Sequence, residues 1–273
     1  VSLPGQLPPL FGETLLRPFQ AACRRAYLRW GSTQGIHPSL KDTDEASLHF
    51  SPVMRQLRAP GNTCLSAVRA GATGTVTHPI NASKGCGAVM RTAPIGLIEG
   101  VTPELAMALG DAAGALTHGH LDGWLPGGAL SAMVRFIAQG HAIRPAAHHA
   151  LRLLAGHQHP DCDAVSASGT VRLLTAALQL LEQTEPAHAD IFGQLGEGWT
   201  GDEALAIGVY AACAAGSFED AIRLAANHDG DSDSTASITG QLYGTRHGIM
   251  AVPHAWVRRL DVLQDALRVT GEF

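Results

Sequence analysis

The chain has 273 residues, 45% of them apolar and 16% charged, with a formal charge of -5 and only 19 Lys and Arg. This excludes a disordered composition and supplies no basic arm for nucleic acid. The length suits one large domain or two small ones with a sizeable core, no apolar stretch approaches the roughly 18 residues of a membrane span, and the opening VSLPGQLPPLFGETLL lacks the order of a secretory signal.

The elements read as helices. Leu15 to Trp30 is the first. Thr102-Pro103-Glu104 is a helix start, with a capping hydroxyl, proline at the first helical position and an acid in the first turn. Leu105, Leu109, Ala112 and Leu116 follow at helical spacing. Gly127 to Gly140 is an apolar helix bounded by glycines, Pro145 opens another that runs to Gly156, and Val171 to Leu181 marks a fourth. Thr200-Gly201-Asp202-Glu203 has the capping-box form, as does Ser217 to Asp220 with Asp in place of Glu. A last helix starts at Pro253, with Trp256, Leu260, Leu263 and Leu267 on one face. No segment alternates convincingly with period two, and Ala and Leu dominate where a sheet would carry β-branched and aromatic residues. The expectation is an all-α chain forming a single domain over residues 1–273.

The cysteines, Cys23, Cys64, Cys86, Cys162 and Cys213, are odd in number and scattered, with no CxxC. That argues against a disulfide framework or a Cys-rich zinc site and fits a reducing cytoplasm. The N-terminal Val suggests a processed or truncated form.

Chemistry concentrates at three places. In His228-Asp229-Gly230-Asp231-Ser232-Asp233-Ser234-Thr235, carboxylates alternate with small residues ahead of a helical stretch. Such oxygen groups suit a hard cation such as magnesium, and they equally suit a helix cap and solvated turn. An EF-hand loop counted from Asp229 fails, because its sixth and twelfth places hold Ser234 and Gly240. Asp231 to Thr235 also has the D-x-D-x-T form of haloacid-dehalogenase-type phosphatases, which requires a preceding buried strand, whereas AIRLAANH reads as helix. The second place is Asn81 to Pro94, whose small residues and glycines let a backbone approach a phosphate or sugar, or simply pack tightly. Cys86 within it reads as a small buried thiol, since no general base is identifiable beside it. The third is His118-Gly119-His120 at a helix end, where a lone histidine is more often a cap or a core residue than a ligand. His157, His159, Asp161 and Asp163 in HQHPDCD read as a polar surface loop, and Lys41 to Glu45 as a solvated one.

In chain order, RRAYLRWGSTQG, LRAPGNTCLSAVRAG, SKGCGAVMRTAPIGL, ALTHGH, GEGWTGDEALAIGVYAA and HDGDSDSTASITGQLYG together resemble the ADP-ribosylglycohydrolase family, which includes the dinitrogenase-reductase-activating glycohydrolases. The resemblance runs from Leu15 to Leu267, and SKGCGAVMRTAPIGL and GDSDST are its most specific blocks. It implies a compact orthogonal multi-helix bundle with a two-magnesium centre in a cleft. The implied activity is magnesium-dependent hydrolysis of the bond joining ADP-ribose to a protein side chain or small acceptor. It implies Asp231, Asp233 and Ser234 as metal ligands. Ser83, Lys84, Gly85, Cys86 and Gly87 are implied around the distal ribose and diphosphate. His118 is implied near the diphosphate, with Gly61, Asn62 and Thr63 in the same role. The partners implied are ADP-ribosylated protein or a small ADP-ribosyl substrate, with no membrane and no nucleic acid.

One departure matters. Family members usually carry a G-D-x-x-G helix, an acidic ligand and a T-D-D-T block before the W-x-x-T-Q region, which here begins at Trp30. Thr43-Asp44-Glu45-Ala46 loosely resembles T-D-D-T, but it follows Trp30 and takes no role. The expectation is a form lacking its first helices and binding magnesium weakly, or a non-catalytic ADP-ribose-binding or structural relative. The catalytic carboxylate is not identified.

Overall fold

The computed structural model describes residues 9–36, 51–157, 162–183 and 188–271. These form α1 (Pro9–Thr33), α2 (Asn62–Arg69), α3 (Pro103–Ala115), α4 (Leu121–Ala138), α5 (Ile143–Ala155), α6 (Cys162–Ser166) and α7 (Gly169–Leu180), followed by α8 (His188–Leu195), α9 (Gly201–Ala214), α10 (Phe218–Ala226), α11 (Ser232–His247), α12 (His254–Val257) and α13 (Leu263–Gly271). Among the described residues there is no strand, only a single antiparallel bridge between Gly85 and Thr200. The chain is all-α, and the phosphatase alternative falls with the missing sheet. No helix among the described residues is long and apolar enough to cross a membrane.

The centre of the molecule is the α3–α4 pair, flanked by α9 and α11. Trp124, Leu125, Leu130 and Met133 of α4 are buried, packed with Leu205 and Val209 of α9 and Ile238 and Leu242 of α11. The α3 start forms as its residues dictate: Thr102 accepts from the Leu105 N–H at 3.2 Å, with Pro103 and Glu104 following. Ser217 caps α10 by accepting from the Asp220 N–H, and its hydroxyl donates back to the Asp220 carboxylate.

Several expectations need correction. The helix read as Gly127 to Gly140 begins at Leu121 and runs through Pro126, because Gly127 and Gly128 are contact points and not boundaries. A Cβ at Gly110 would meet the Gly127 carbonyl at 2.8 Å, and one at Gly128 would meet Asp111 Oδ1 at 2.0 Å. Glycine lets these backbones approach where any side chain would hold them apart. The next helix starts at Ile143, two residues before Pro145.

At Thr200 a helix begins but no capping box forms. Thr200 makes no side-chain cap bond, since its backbone pairs with Gly85, and Glu203 reaches back to accept from the Gly198 N–H at 3.1 Å. The final apolar stripe is not one helix. The chain turns between α12 and α13 through three-residue hydrogen bonds from Arg259 to Trp256 and from Leu260 to Val257, and Asp261 pairs with Arg58 there. Trp256, Leu260 and Leu267 stand exposed.

Candidate functional site

The end of α3, the starts of α4, α9 and α11, and the 81–88 loop converge on one region. Asn81 fixes the loop: its amide donates to the Thr117 carbonyl, and its side-chain oxygen accepts from the N–H groups of Ser83 and Gly119. The Cys86 N–H donates to the Trp199 carbonyl, and the Gly201 N–H donates to the Lys84 carbonyl at 2.8 Å. The turn before α11 is laid against the same strap, with the Asp231 N–H donating to the Glu197 carbonyl at 2.8 Å. Gly230 makes this possible, because a Cβ there would lie 1.9 Å from that carbonyl oxygen.

His228 holds the turn itself. Its Nδ1 accepts from the Gly230 N–H, so its Nε2 donates to Thr235 Oγ1 at 3.0 Å. Asp231 is then the N-cap residue of α11, but its side chain makes no capping bond. It faces the loop instead: the Cys86 thiol donates to Asp231 Oδ2 at 2.8 Å and lies 3.4 Å from the buried hydroxyl of Ser234. Asp233, in the first turn of the helix, has a raised carboxyl pKa. Its hydrogen bond with Asp231 is the main cause, followed by partial burial and the Asp231 charge. Two carboxyls this close share a proton or take a cation between them. Cys86 is pushed up to about 12 by burial and by its bond to Asp231, which leaves it a protonated thiol and no nucleophile.

Gly85 and Gly87 lie over the edge of His118. A Cβ at Gly85 would sit 3.4 Å from His118 Nε2, and one at Gly87 would sit 3.5 Å from its Cε1. His118 is 1% exposed, and burial together with the Arg91 charge pushes it down to about 3. Thr63 Oγ1 joins the loop through Ser83 Oγ at 2.9 Å. Gly61 and Asn62 are exposed at the start of α2 and make no bond to the loop.

The sequence therefore brings Ser83, Gly85, Cys86, Gly87, His118, Asp231, Ser234 and Thr63 together. Lys84 points elsewhere. Its ammonium lies 3.7 Å from Asp122 Oδ2 in a neighbouring cavity of about 490 Å³, lined also by His120, Ser168, Arg172 and Asp202. His157 corrects the surface-loop reading, because its Nε2 pairs with the buried Asp111 carboxylate at 2.7 Å. His159, Asp161 and the 41–46 stretch lie outside the described residues. Asn81 and Arg91 lie in the glycine-loop stretch and Thr117, Glu197 and Trp199 in the neighbouring blocks, but sequence alone assigns none of them a role of its own. Only a polar residue at fixed distance from a glycine run could have signalled them.

Asp231, Asp233 and the Ser234 hydroxyl form a set of hard oxygen donors at a helix start, suited to one side of a magnesium shell. Magnesium commonly takes one or two protein carboxylates and completes its shell with water and substrate. Among the described residues no cluster of three His, Cys, Asp or Glu side chains forms a fuller cage.

A family profile described as ADP-ribosylglycohydrolase matches residues 6–272. No curated protein matches the chain. A solved structure titled "ADP-ribosylglycohydrolase-related protein complex" is similar in fold, with a TM-score of 0.56 at 21% identity over 89% of this chain and 77% of that one. With the family profile spanning nearly the whole length, the chain belongs to the ADP-ribosylglycohydrolase family.

Proposed function

We propose that this protein is a hydrolase that removes ADP-ribose from a modified protein side chain or small acceptor, in the cleft between the glycine loop, His118 and Asp231. The observation that carries the reading is the meeting of blocks far apart in sequence: Cys86 bonds to Asp231 and Ser234, and the backbone at Gly85 and Gly87 is placed so that a side chain there would pack on His118. With glycine at 85 and 87 no side chain packs against the imidazole edge, and that is where a diphosphate oxygen would lie. Asp231, Asp233 and Ser234 would hold magnesium, which orients sugar hydroxyls and offsets charge when bound. The protein side chains supply the shape, the oxygen donors and a neutral imidazole. A protonated Cys86 keeps Asp231 turned toward the cleft.

The second reading is a non-catalytic ADP-ribose-binding or structural relative on the same scaffold. De-ADP-ribosylation assayed with and without magnesium separates the two. The hydrolase reading expects magnesium-dependent release of ADP-ribose. Asp231→Asn and Asp233→Asn should each lower it by about 100-fold or more, given that disturbing even the outer shell of a metal costs about 10–100-fold. Release that is indifferent to metal and to both substitutions would remove it, and binding without release would favour the second reading.

A further inference from the structure

Behind the glycine loop lie two side chains that the proposed function does not use, Arg91 and Thr117, and they lead to His118. Arg91 is enclosed beneath the loop, with its guanidinium 4.4 Å over the Tyr27 ring. Its Nη1 donates to the Gly87 carbonyl at 2.9 Å and to Cys64 Sγ at 3.5 Å. Its Nη2 donates to the Ala113 carbonyl at 3.4 Å and to Thr117 Oγ1 at 2.6 Å. A guanidinium has donors only, so Thr117 Oγ1 must accept from it and keeps one hydrogen to give. Two acceptors lie in reach of that hydrogen: His118 Nδ1 at 2.8 Å and the Gly114 carbonyl at 3.5 Å.

Distance favours the imidazole, and charge favours it too. A cation on the Nδ1 side attracts the ring's lone pair and repels an N–H, so the ring proton is driven to the far nitrogen. Nε2 is that far nitrogen, and it faces the positions of the missing side chains of Gly85 and Gly87. Burial and the Arg91 charge keep the ring uncharged across the physiological range.

We infer that Arg91 and Thr117 are positioning residues that hold His118 as its Nε2–H tautomer, so that one neutral N–H donor is aimed at a ligand oxyanion lying over Gly85 and Gly87. The ligand class is an oxygen acceptor, and under the proposed function it is the diphosphate of ADP-ribose. The tautomer follows from the protein's own hydrogen bonds, whereas the identity of the oxyanion rests on that functional reading.

The experiment pairs imidazole nitrogen NMR on the full chain with calorimetric titration of ADP-ribose, for wild type, Thr117→Val, Thr117→Ser and Arg91→Lys. In the wild type the His118 resonances should show a protonated Nε2 and a bare Nδ1. Thr117→Val should lose that signature and weaken ADP-ribose binding by about tenfold or more, the scale of one hydrogen bond to a charged group. Thr117→Ser should restore both, which a merely structural role for the residue would not require. Arg91→Lys keeps a donor-only cation beside Thr117 and should keep the protonated Nε2 and bare Nδ1. A wild-type ring protonated on Nδ1 would overturn the inference, and so would a Thr117→Val protein with unchanged resonances and affinity. If wild type fails to bind ADP-ribose, the functional reading fails while the resonances still decide the tautomer.

Discussion

Asp231 occupies the N-cap of α11 yet its side chain caps nothing and faces the glycine loop instead. The residue types alone fit both a cap and a cation ligand, since Asp and Ser are preferred at helix starts. What turns the Asp231 side chain away from the helix is a thiol 145 positions away in sequence, a contact that local pattern does not encode. His157 is the reverse case. Its tract reads as polar surface, but it closes on Asp111 inside the molecule, 12% exposed against 4%. Burial lowers the His157 pKa, and the hydrogen bond and charge of Asp111 outweigh burial and raise it.

A raised histidine pKa stabilises the fold fully below the ordinary value near 6.5, and that contribution fades as pH climbs through the folded-state pKa. Thermal melts of wild type and His157→Gln should therefore differ more at mildly acid pH than at alkaline pH. A difference that grows with pH would refute the pairing. Asp111→Ala should cost about 3 kcal/mol in denaturant titration, because it strands the buried imidazole.

At the scale of elements, the glycines show how one residue type serves opposite ends. Gly128 lies inside α4, where a Cβ would strike Asp111 Oδ1 at 2.0 Å and the Met107 carbonyl at 2.8 Å. Gly244 lies inside α11 with nothing within 4 Å. Gly128→Ala should destabilise by about 2–3 kcal/mol through overpacking, despite alanine's better helix propensity. Gly244→Ala should stabilise by up to about 1 kcal/mol. Equal effects of the two substitutions on the melting temperature would contradict the close α3–α4 crossing.

Helix positions were legible because caps and periodicity are local, as Thr102, Ser217 and the α7 stripe show. Helix limits at Gly127 and after Val257 were not, because a glycine that permits contact looks like a glycine that ends a helix. An apolar stripe likewise does not say whether anything will cover it.

Across the whole molecule, the junction of loop, histidine and acidic turn is assembled from helix ends. α3 delivers His118 just past its C-terminus, α9 supplies the strap at Trp199 to Gly201, and α11 presents Asp231, all meeting a loop pinned by Asn81. The loop, the histidine and the acidic block were legible as separate motifs. Arg91, Thr117 and the strap were not, because their roles exist only once the helices are packed. The central claim is that this junction binds ADP-ribose, and titration calorimetry on magnesium-loaded protein tests it most directly. Wild type should give saturable heat. Gly85→Leu, whose side chain would cover the His118 edge and Ser83 Oγ, should weaken binding by at least about tenfold with its melting temperature little changed. No heat from folded wild type at millimolar ADP-ribose, or equal affinity in the two proteins, would contradict the account.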